Sequence, residues 1–420
     1  MSTKHECLTT PSMSYNFQLV SATIEDRLPD ALPDGFDRSI LLEDDFLDTV
    51  EPEKIDKRVD NAAVAFLFGR MADKRSICVR VEGVRPKLFF DCEGISFVDL
   101  KLELQSEVQR ELSDASAGLH IEVKRFANFN GFEPDETTAS GRKLHNYYQV
   151  EYPSVRAWRK AVNLRKEDDT AIREAHKANL PIPERKWRLA HEYNVDPMTR
   201  FIREHKLISG GWNVVTDTFS PKGIVTTCDV EVEAHASGIR GLKDRFDMAP
   251  YTVMYYDLET LSLDPENGGI IQVSLVFECQ DKVEKHCVCL KNVSPLEGII
   301  LHCVPSEEAL LRRVRRVVLS KDPDMVVAYN GVNFDNKFLA IRAEARHAAR
   351  EKVNSFFYLS RFALRPSRLR ELSLASSGMG DNKFDYIDVV GRATIDFFVK
   401  FKVDEPSEIS WSLSHFTRKY

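Results

Sequence analysis

Between residues 251 and 348 the apolar residues change their period from element to element, and that succession leaves few folds open. YTVMYYDLE (251–259), IIQVSLVFE (270–278) and KHCVCL (285–290) have the composition and length of strands. SEEALLRRVRRVVLS (306–320) has the period of an amphipathic helix. Ser306 is placed to cap it, Glu307 and Glu308 fall in its first turn, and Leu310, Val314 and Val317 line one side. The short apolar run MVVAY (325–329) reads as another strand. A second helix is expected from Asp335, with Phe334, Phe338, Ile341 and Ala345 on one face. Three strands, a helix, a strand and a helix predict a mixed sheet flanked by helices.

The preceding residues read as a separate, β-rich unit. AVAFLFG (63–69) and SICVRVEGV (76–84) flank the polar turn MADKR and predict a hairpin, and RPKLFFDC (85–92) predicts a third strand. A helix is expected over 101–113 from Leu102, Leu104, Val108 and Leu112, with strands at IEVKRFANF (121–129) and HNYYQVEYP (145–153). SVRAWRKAVNLRK (154–166) reads as a helix whose bases, Arg156, Arg159, Lys160, Arg165 and Lys166, could contact phosphate but read rather as a solvated face. Residues 1–60 carry 14 Asp or Glu against 6 Lys or Arg, which leaves the other 360 residues near neutrality. Residues 1–57 therefore read as an acidic, disordered leader with at most one short helix, LLEDDFLDTVEPEKID being its most solvated part. The expected division is 1–57 leader, 58–250 N-terminal domain and 251–420 a third unit.

Several classes drop out. No apolar run approaches the roughly 18 residues of a membrane span, and MSTKHECLTTPSMSYNF has neither part of a signal peptide. The eight cysteines are scattered without a C-x-x-C pair, so they read as buried or free thiols of a reducing compartment. Cys287 and Cys289, two apart on a strand, would share a face as packing residues. A near-neutral body can still bind a polyanion where its bases cluster, so charge leaves a nucleic-acid partner open.

The chemistry concentrates in two places. Asp257 and Glu259 end the first strand, and the period of two puts both carboxylates on one face with Leu258 on the other. Adjacent carboxylates repel unless solvated or neutralised, and hard oxygen donors suit Mg²⁺ or Mn²⁺. After the strand MVVAY comes YNGVNFD (329–335), leading directly into a helix, so Asp335 falls in the first turn where the helix dipole favours its ionised form. Each feature alone has a bland reading, surface charge or an ordinary N-terminal acid. Their order, strand with D-x-E and then strand, loop and helix with Asp, is the order of a ribonuclease-H-like nuclease core.

In that order the chain resembles the N-terminal and 3′→5′ exonuclease region of family B DNA polymerases, of the delta-like type found in eukaryotes and large DNA viruses. The segments that carry the resemblance are YYDLETLSLDPENGGIIQVS (255–274), SEEALL (306–311) and DPDMVVAYNGVNFDNKFLAIRA (322–343). GRATIDFF (391–398) and SWSLSHFTRKY (410–420) resemble segments leading towards the family's third exonuclease motif. FLFGRMADKRSICVRVEGVRPKLFF (66–90) and FIREHKLISGGWNVV (201–215) resemble parts of its N-terminal domain. The likeness covers roughly residues 60 to 420.

The resemblance implies hydrolysis of 3′-terminal phosphodiesters with two Mg²⁺ or Mn²⁺ ions, about 4 Å apart. Asp257 would bridge them, Glu259 would hold the ion that activates water, and Asp335 would lie near the second ion. Asn330 would contact the 3′-terminal nucleotide, and Phe334 would pack beside it or simply anchor the helix; Tyr329 reads as sheet-end packing. The implied partners are DNA with a single-stranded 3′ end, the remainder of a polymerase chain and a processivity factor, in the nucleus or at a viral replication site. The family's third motif, Y-x-x-x-D, and its palm signatures find no match, so the expectation is a fragment or split enzyme with little activity of its own. Asp396 in GRATIDFF reads as structural rather than as a substitute carboxylate. Arg312, Arg313, Arg315 and Arg316 read as a solvated helix face, and Arg361, Arg365, Arg368 and Arg370 as a loop cluster open to DNA backbone contact. A free-standing exonuclease on DNA or RNA, and a non-catalytic DNA-binding or assembly module, remain as alternatives.

Overall fold

The structure is a computed structural model that describes residues 13–26, 32, 38–42, 63–108, 118–126, 137–138, 141–142, 144–221, 223–348, 354–376 and 380–420. The N-terminal region contributes β1 (Met13–Glu25), β2 (Ala63–Arg70), β3 (Ser76–Val84), β4 (Lys87–Asp91), α1 (Phe97–Val108) and β5 (His120–Phe126). The two-residue strands β6 (Thr137–Thr138) and β7 (Gly141–Arg142) follow, then β8 (His145–Glu151), α2 (Val155–Lys177), α3 (Pro197–Glu204), β9 (Trp212–Thr218), β10 (Val230–Glu233) and β11 (Ile239–Gly241).

β2 and β3 form the expected antiparallel hairpin, inside a six-stranded sheet of order β10-β3-β2-β1-β9-β11. The strand at RPKLFFDC is present as β4, but it belongs to a second sheet, β4-β8-β5. The leader expectation fails over residues 13–25. They form β1, paired with β2 on one side and β9 on the other, and Phe17 and Leu19 are buried. Residues 13–24 contain no charged side chain, so the acidic average over 60 residues hid a strand. Of the acidic run LLEDDFLDTVEPEKID, only Leu41 and Leu42 lie among the described residues, in a short 3₁₀ turn.

Two helices in this region are set differently from expectation. α1 begins at Phe97, which puts Leu100, Leu104 and Val108 inside and leaves Leu102 62% exposed; Leu112 lies outside the described residues. α2 is longer than 154–166 and is capped by Ser154, whose hydroxyl accepts from the Ala157 amide. Arg165 is not on its solvated face. It is fully buried, donating from Nη2 to Glu107 Oε1 of α1 at 2.9 Å.

From 253 onward come β12 (Val253–Thr260), β13 (Ile270–Cys279), β14 (Lys282–Leu290), β15 (Ile299–Val304), α4 (Glu307–Lys321), β16 (Met325–Ala328) and α5 (Asp335–Ala348). The hairpin β17 (Leu369–Ser376) and β18 (Gly380–Ile387) follows, then β19 (Ala393–Asp396), α6 (Phe397–Asp404) and α7 (Leu413–Lys419). The sheet runs β15-β14-β13-β12-β16-β19. β13 is antiparallel to both β12 and β14, whereas β12, β16 and β19 run parallel. This is the ribonuclease-H-like mixed sheet. β15, which the sequence reading passed over, extends it beyond β14 in parallel register. α4 carries Leu310, Leu311, Val314, Val317 and Val318 into the core beneath the sheet, and α5 adds Phe338, Leu339 and Ala343, with Ala345 exposed. Cys287 and Cys289 are buried, as packing residues.

Two arginines expected at the surface are interior. Arg315 is fully buried and donates to the Leu41 carbonyl. Arg361 is fully buried and bonds Asp322 and Asp324, the two acids just before β16. Arg70 of β2 reaches the same acids, with Nε 2.8 Å from Asp324 Oδ2. Arg392 donates to Asp322 at 2.8 Å. This cluster ties the N-terminal sheet to the strand on which the site is built. Arg365 pairs with Glu25 of β1, and Arg370 with Asp388 at a looser 3.7 Å.

Candidate active site

The site forms where β12 ends and α5 begins. On β12, Leu258 is buried while Asp257 and Glu259 project to solvent on the opposite face, as the alternation requires. Because β16 lies parallel beside β12, the chain leaving β16 turns over the end of β12 and delivers Asp335 as the first residue of α5. That turn is sterically tight. A Cβ on Gly331 would meet the Ala328 Cβ at 2.6 Å and the Tyr256 hydroxyl at 3.1 Å, with Asp335 Oδ2 just beyond. Asn330 takes a left-handed backbone, φ 66°, which asparagine tolerates better than most residues.

The acids perturb one another. Asp335 is 4% exposed, and its carboxyl is pushed up to about 7, first by burial, then by the charges of Asp257 and Asp396, against the opposing pull of its own amide and that of Leu258. The Asp257 carboxyl is raised as well, by burial and then by Glu259. Asp257 is thus coupled to Asp335 on one side and to Glu259 on the other.

Tyr256 is the site residue that sequence reasoning missed. Its hydroxyl donates to Asn336 Oδ1 at 2.6 Å. Burial, and then the charges of Asp335, Asp396 and Asp257, hold the phenol far above its ordinary value. The signal was available: an alternating strand that points Asp257 outward must point Tyr256 inward, towards the helix carrying Asp335.

The remaining candidates divide by environment. The Asn330 amide donates to Asp396 Oδ1 at 3.1 Å, and its side-chain oxygen accepts from Asn333 Nδ2 at 2.6 Å. Phe334 is half-buried, packed on the core with its ring 5.3 Å from that of Phe338. Tyr329 packs at the sheet end, its hydroxyl donating to the Trp411 carbonyl at 2.7 Å and its ring against Phe398 and Phe401. Asp396 caps α6 through the amides of Phe398 and Val399 and also accepts from Asn330 and Val332, the structural role expected for it.

As a cation site, the hard carboxylate set of Asp257, Glu259 and Asp335 has the right chemistry for Mg²⁺ or Mn²⁺. Burial and then the Asp257 charge raise Asp335, and a bound cation would offset both. Among the described residues, however, no three of His, Cys, Asp and Glu form a group able to hold a metal.

Residues 190–415 match the family described as DNA polymerase family B, exonuclease domain. The chain is 25% identical over 362 residues to the DNA polymerase delta catalytic subunit of Dictyostelium discoideum, covering 80% of this chain and 31% of that protein. It is 25% identical over 332 residues to the DNA polymerase catalytic subunit of alcelaphine herpesvirus 1, covering 75% of this chain and 30% of the relative. Its fold is similar to that in the structure of the family B DNA polymerase from the hyperthermophilic archaeon Pyrobaculum calidifontis. The TM-score is 0.54 at 16% identity, over 93% of this chain and 37% of that one. The chain therefore spans about a third of the length of these relatives. No helix among the described residues is long and apolar enough to cross a membrane. With more than half of its residues matched to that family, over the strands and helices that build the site, the chain belongs to the exonuclease-domain family of family B DNA polymerases.

Proposed function

We propose that the chain provides the 3′→5′ proofreading exonuclease of a family B DNA polymerase, removing nucleotides from a frayed, single-stranded 3′ end of DNA. The observation that carries this reading is the meeting of Asp257 with Asp335, whose buried carboxyl the Asp257 charge raises further, at the junction of β12 and α5, inside a family match that spans both. Asp257, Glu259 and Asp335 would hold two Mg²⁺ or Mn²⁺ ions, which when bound supply stabilisation of the attacking and leaving oxygens of phosphodiester hydrolysis. The protein's own groups supply the frame. Tyr256 fixes the start of α5 through Asn336, Asp396 fixes the 330–332 turn, and the half-exposed Phe334 ring offers an apolar surface to an unstacked base. The relatives, DNA polymerase catalytic subunits of a eukaryote and a herpesvirus, support the polymerase context and are consistent with a nuclear or viral replication site; a processivity factor is proposed as a further partner of the assembled enzyme.

The alternative is a DNA-binding module with residual carboxylates, since among the described residues no three of His, Cys, Asp and Glu form a group able to hold a metal. Two measurements separate the readings: Mn²⁺ binding followed by electron paramagnetic resonance, and release of nucleotides from a 3′-labelled single-stranded oligonucleotide. The nuclease reading expects Mn²⁺ binding that is lost in Asp257→Ala, and any divalent-dependent release to be lost with it. Nucleotide release that survives Asp257→Ala, or Mn²⁺ binding indifferent to that change, would refute the assignment.

A further inference from the structure

Behind the site lies a buried ion pair that the chemistry above does not use. Glu307, in the first turn of α4, and Arg342 of α5 are each 7% exposed. Arg342 Nε donates to Glu307 Oε1 at 2.9 Å and Nη2 to Oε2 at 2.6 Å, while Nη1 donates to the Pro265 carbonyl at 3.1 Å. Glu307 Oε1 also accepts the Ile270 amide at 2.9 Å. That amide sits where the β12–β13 ladder slips: Glu259 faces Gln272, but Thr260 faces Ile270.

Resting on the proposed exonuclease reading, we infer that the Glu307–Arg342 pair positions the carboxylates, by fixing the strand slip beside Glu259 to the helix that carries Asp335. Arg342 lies seven residues after Asp335, two turns along the same side of α5. One guanidinium thus links the helix of Asp335 to the loop between β12 and β13 and, through Glu307, to the slip itself. The loop has little else to hold it. Its internal bonds, Leu261 amide to Gly269 carbonyl and Gly268 amide to Asp264 carbonyl, close it on itself, and Leu261 and Leu263 are 72% and 85% exposed. Without an apolar anchor, its place relative to Glu259 is set by the polar clamp. A buried ion pair adds little net stability against an apolar replacement, so its value here lies in the geometry it imposes. Lysine cannot substitute, because a single ammonium cannot span both Glu307 oxygens and the Pro265 carbonyl as the planar fork does.

The test compares the full chain with Arg342→Lys, Glu307→Gln and a control, Arg165→Lys, which perturbs the buried Glu107 pair of the N-terminal region far from the site. Mn²⁺ affinity is read by electron paramagnetic resonance, and backbone order by hydrogen exchange of the Ile270 amide and residues 261–269. The two site variants should weaken Mn²⁺ binding about tenfold or more, the usual size of an outer-shell loss, and speed exchange in the loop. The control should lower melting temperature and leave both readouts unchanged. Arg342→Lys with native exchange in the loop, or with Mn²⁺ affinity within about twofold of native, would overturn the inference. Absence of Asp257-dependent Mn²⁺ binding in the native chain would overturn the exonuclease reading instead, and the exchange measurement would still decide whether the pair holds the loop.

Discussion

Removing Asp324 should unfasten the N-terminal sheet from the sheet that carries the site. Asp324 is fully buried, and its two oxygens take three bonds: Arg70 Nε at 2.8 Å, Arg361 Nη2 at 2.8 Å and the Thr252 amide at 2.9 Å. Asp324→Ala leaves two guanidiniums, at 5% and 0% exposure, short of a counter-charge, and leaves the amide that precedes β12 without that acceptor. Breaking a buried ion pair by deleting one partner costs about 3–5 kcal/mol. Asp322 softens the loss, since Arg361, Arg392 and Arg70 outweigh burial and keep its carboxylate ionised far below the usual range. A loss of about 3 kcal/mol is therefore expected. Asp324→Asn, which keeps an acceptor but no charge, should fall between the variant and the native chain. Urea unfolding followed by tryptophan fluorescence measures this, with circular dichroism as a second probe of whether the two sheets now unfold separately. A loss below about 1 kcal/mol, the size of an ordinary surface pair, would refute the view that this cluster fastens the two sheets.

Two further perturbations bear on the site. Asp335 has a folded value of about 7 against 3.8 for the free group, so between those values the folded state holds a proton that the unfolded state has released. Stability of the metal-free chain from this group is full below about pH 4 and is lost as pH rises through 7; Asp335→Asn should therefore raise the melting temperature at pH 8 and much less at pH 5, and an equal rise at both would sink the explanation. Gly331→Ala should cost about 1–3 kcal/mol through overpacking against Ala328 and Tyr256 and should weaken Mn²⁺ binding, whereas a neutral effect in melting and binding would mean the turn relaxes freely.

What was legible in the sequence was periodic or local. α4 could be read to its cap because its acids, apolar stripe and Ser306 lie within one stretch, and the D-x-E face followed from strand alternation alone. What escaped depended on distant partners. Arg165 and Glu107 are 58 residues apart, and Arg361 and Asp324 are 37 apart. A base in a polar stretch therefore reads as solvated until the fold supplies its acid. β1 escaped for a different reason, since composition averaged over a long acidic segment cannot report twelve uncharged residues inside it. The slip between Glu259 and Thr260 has no periodic signature either, and with it went the meaning of Glu307, which read only as a helix-start acid.

The carboxylates near Tyr256 show why the type of residue is a poorer guide to a cation site than the bonds it already makes. Asp396 lies close enough to raise both Tyr256 and Asp335, so proximity alone would admit it. Yet it accepts from four backbone amides, those of Asn330, Val332, Phe398 and Val399. Its oxygens are already engaged, and moving it onto a cation would undo a helix cap and the turn over β12 at once. Asp335 and Asp257 are in the opposite condition. Burial and like charge raise both, and the amides near them do not compensate. A cation gains most where a carboxylate is least satisfied, and Asp396, by fixing the 330–332 turn, helps to keep Asp335 in that unsatisfied place.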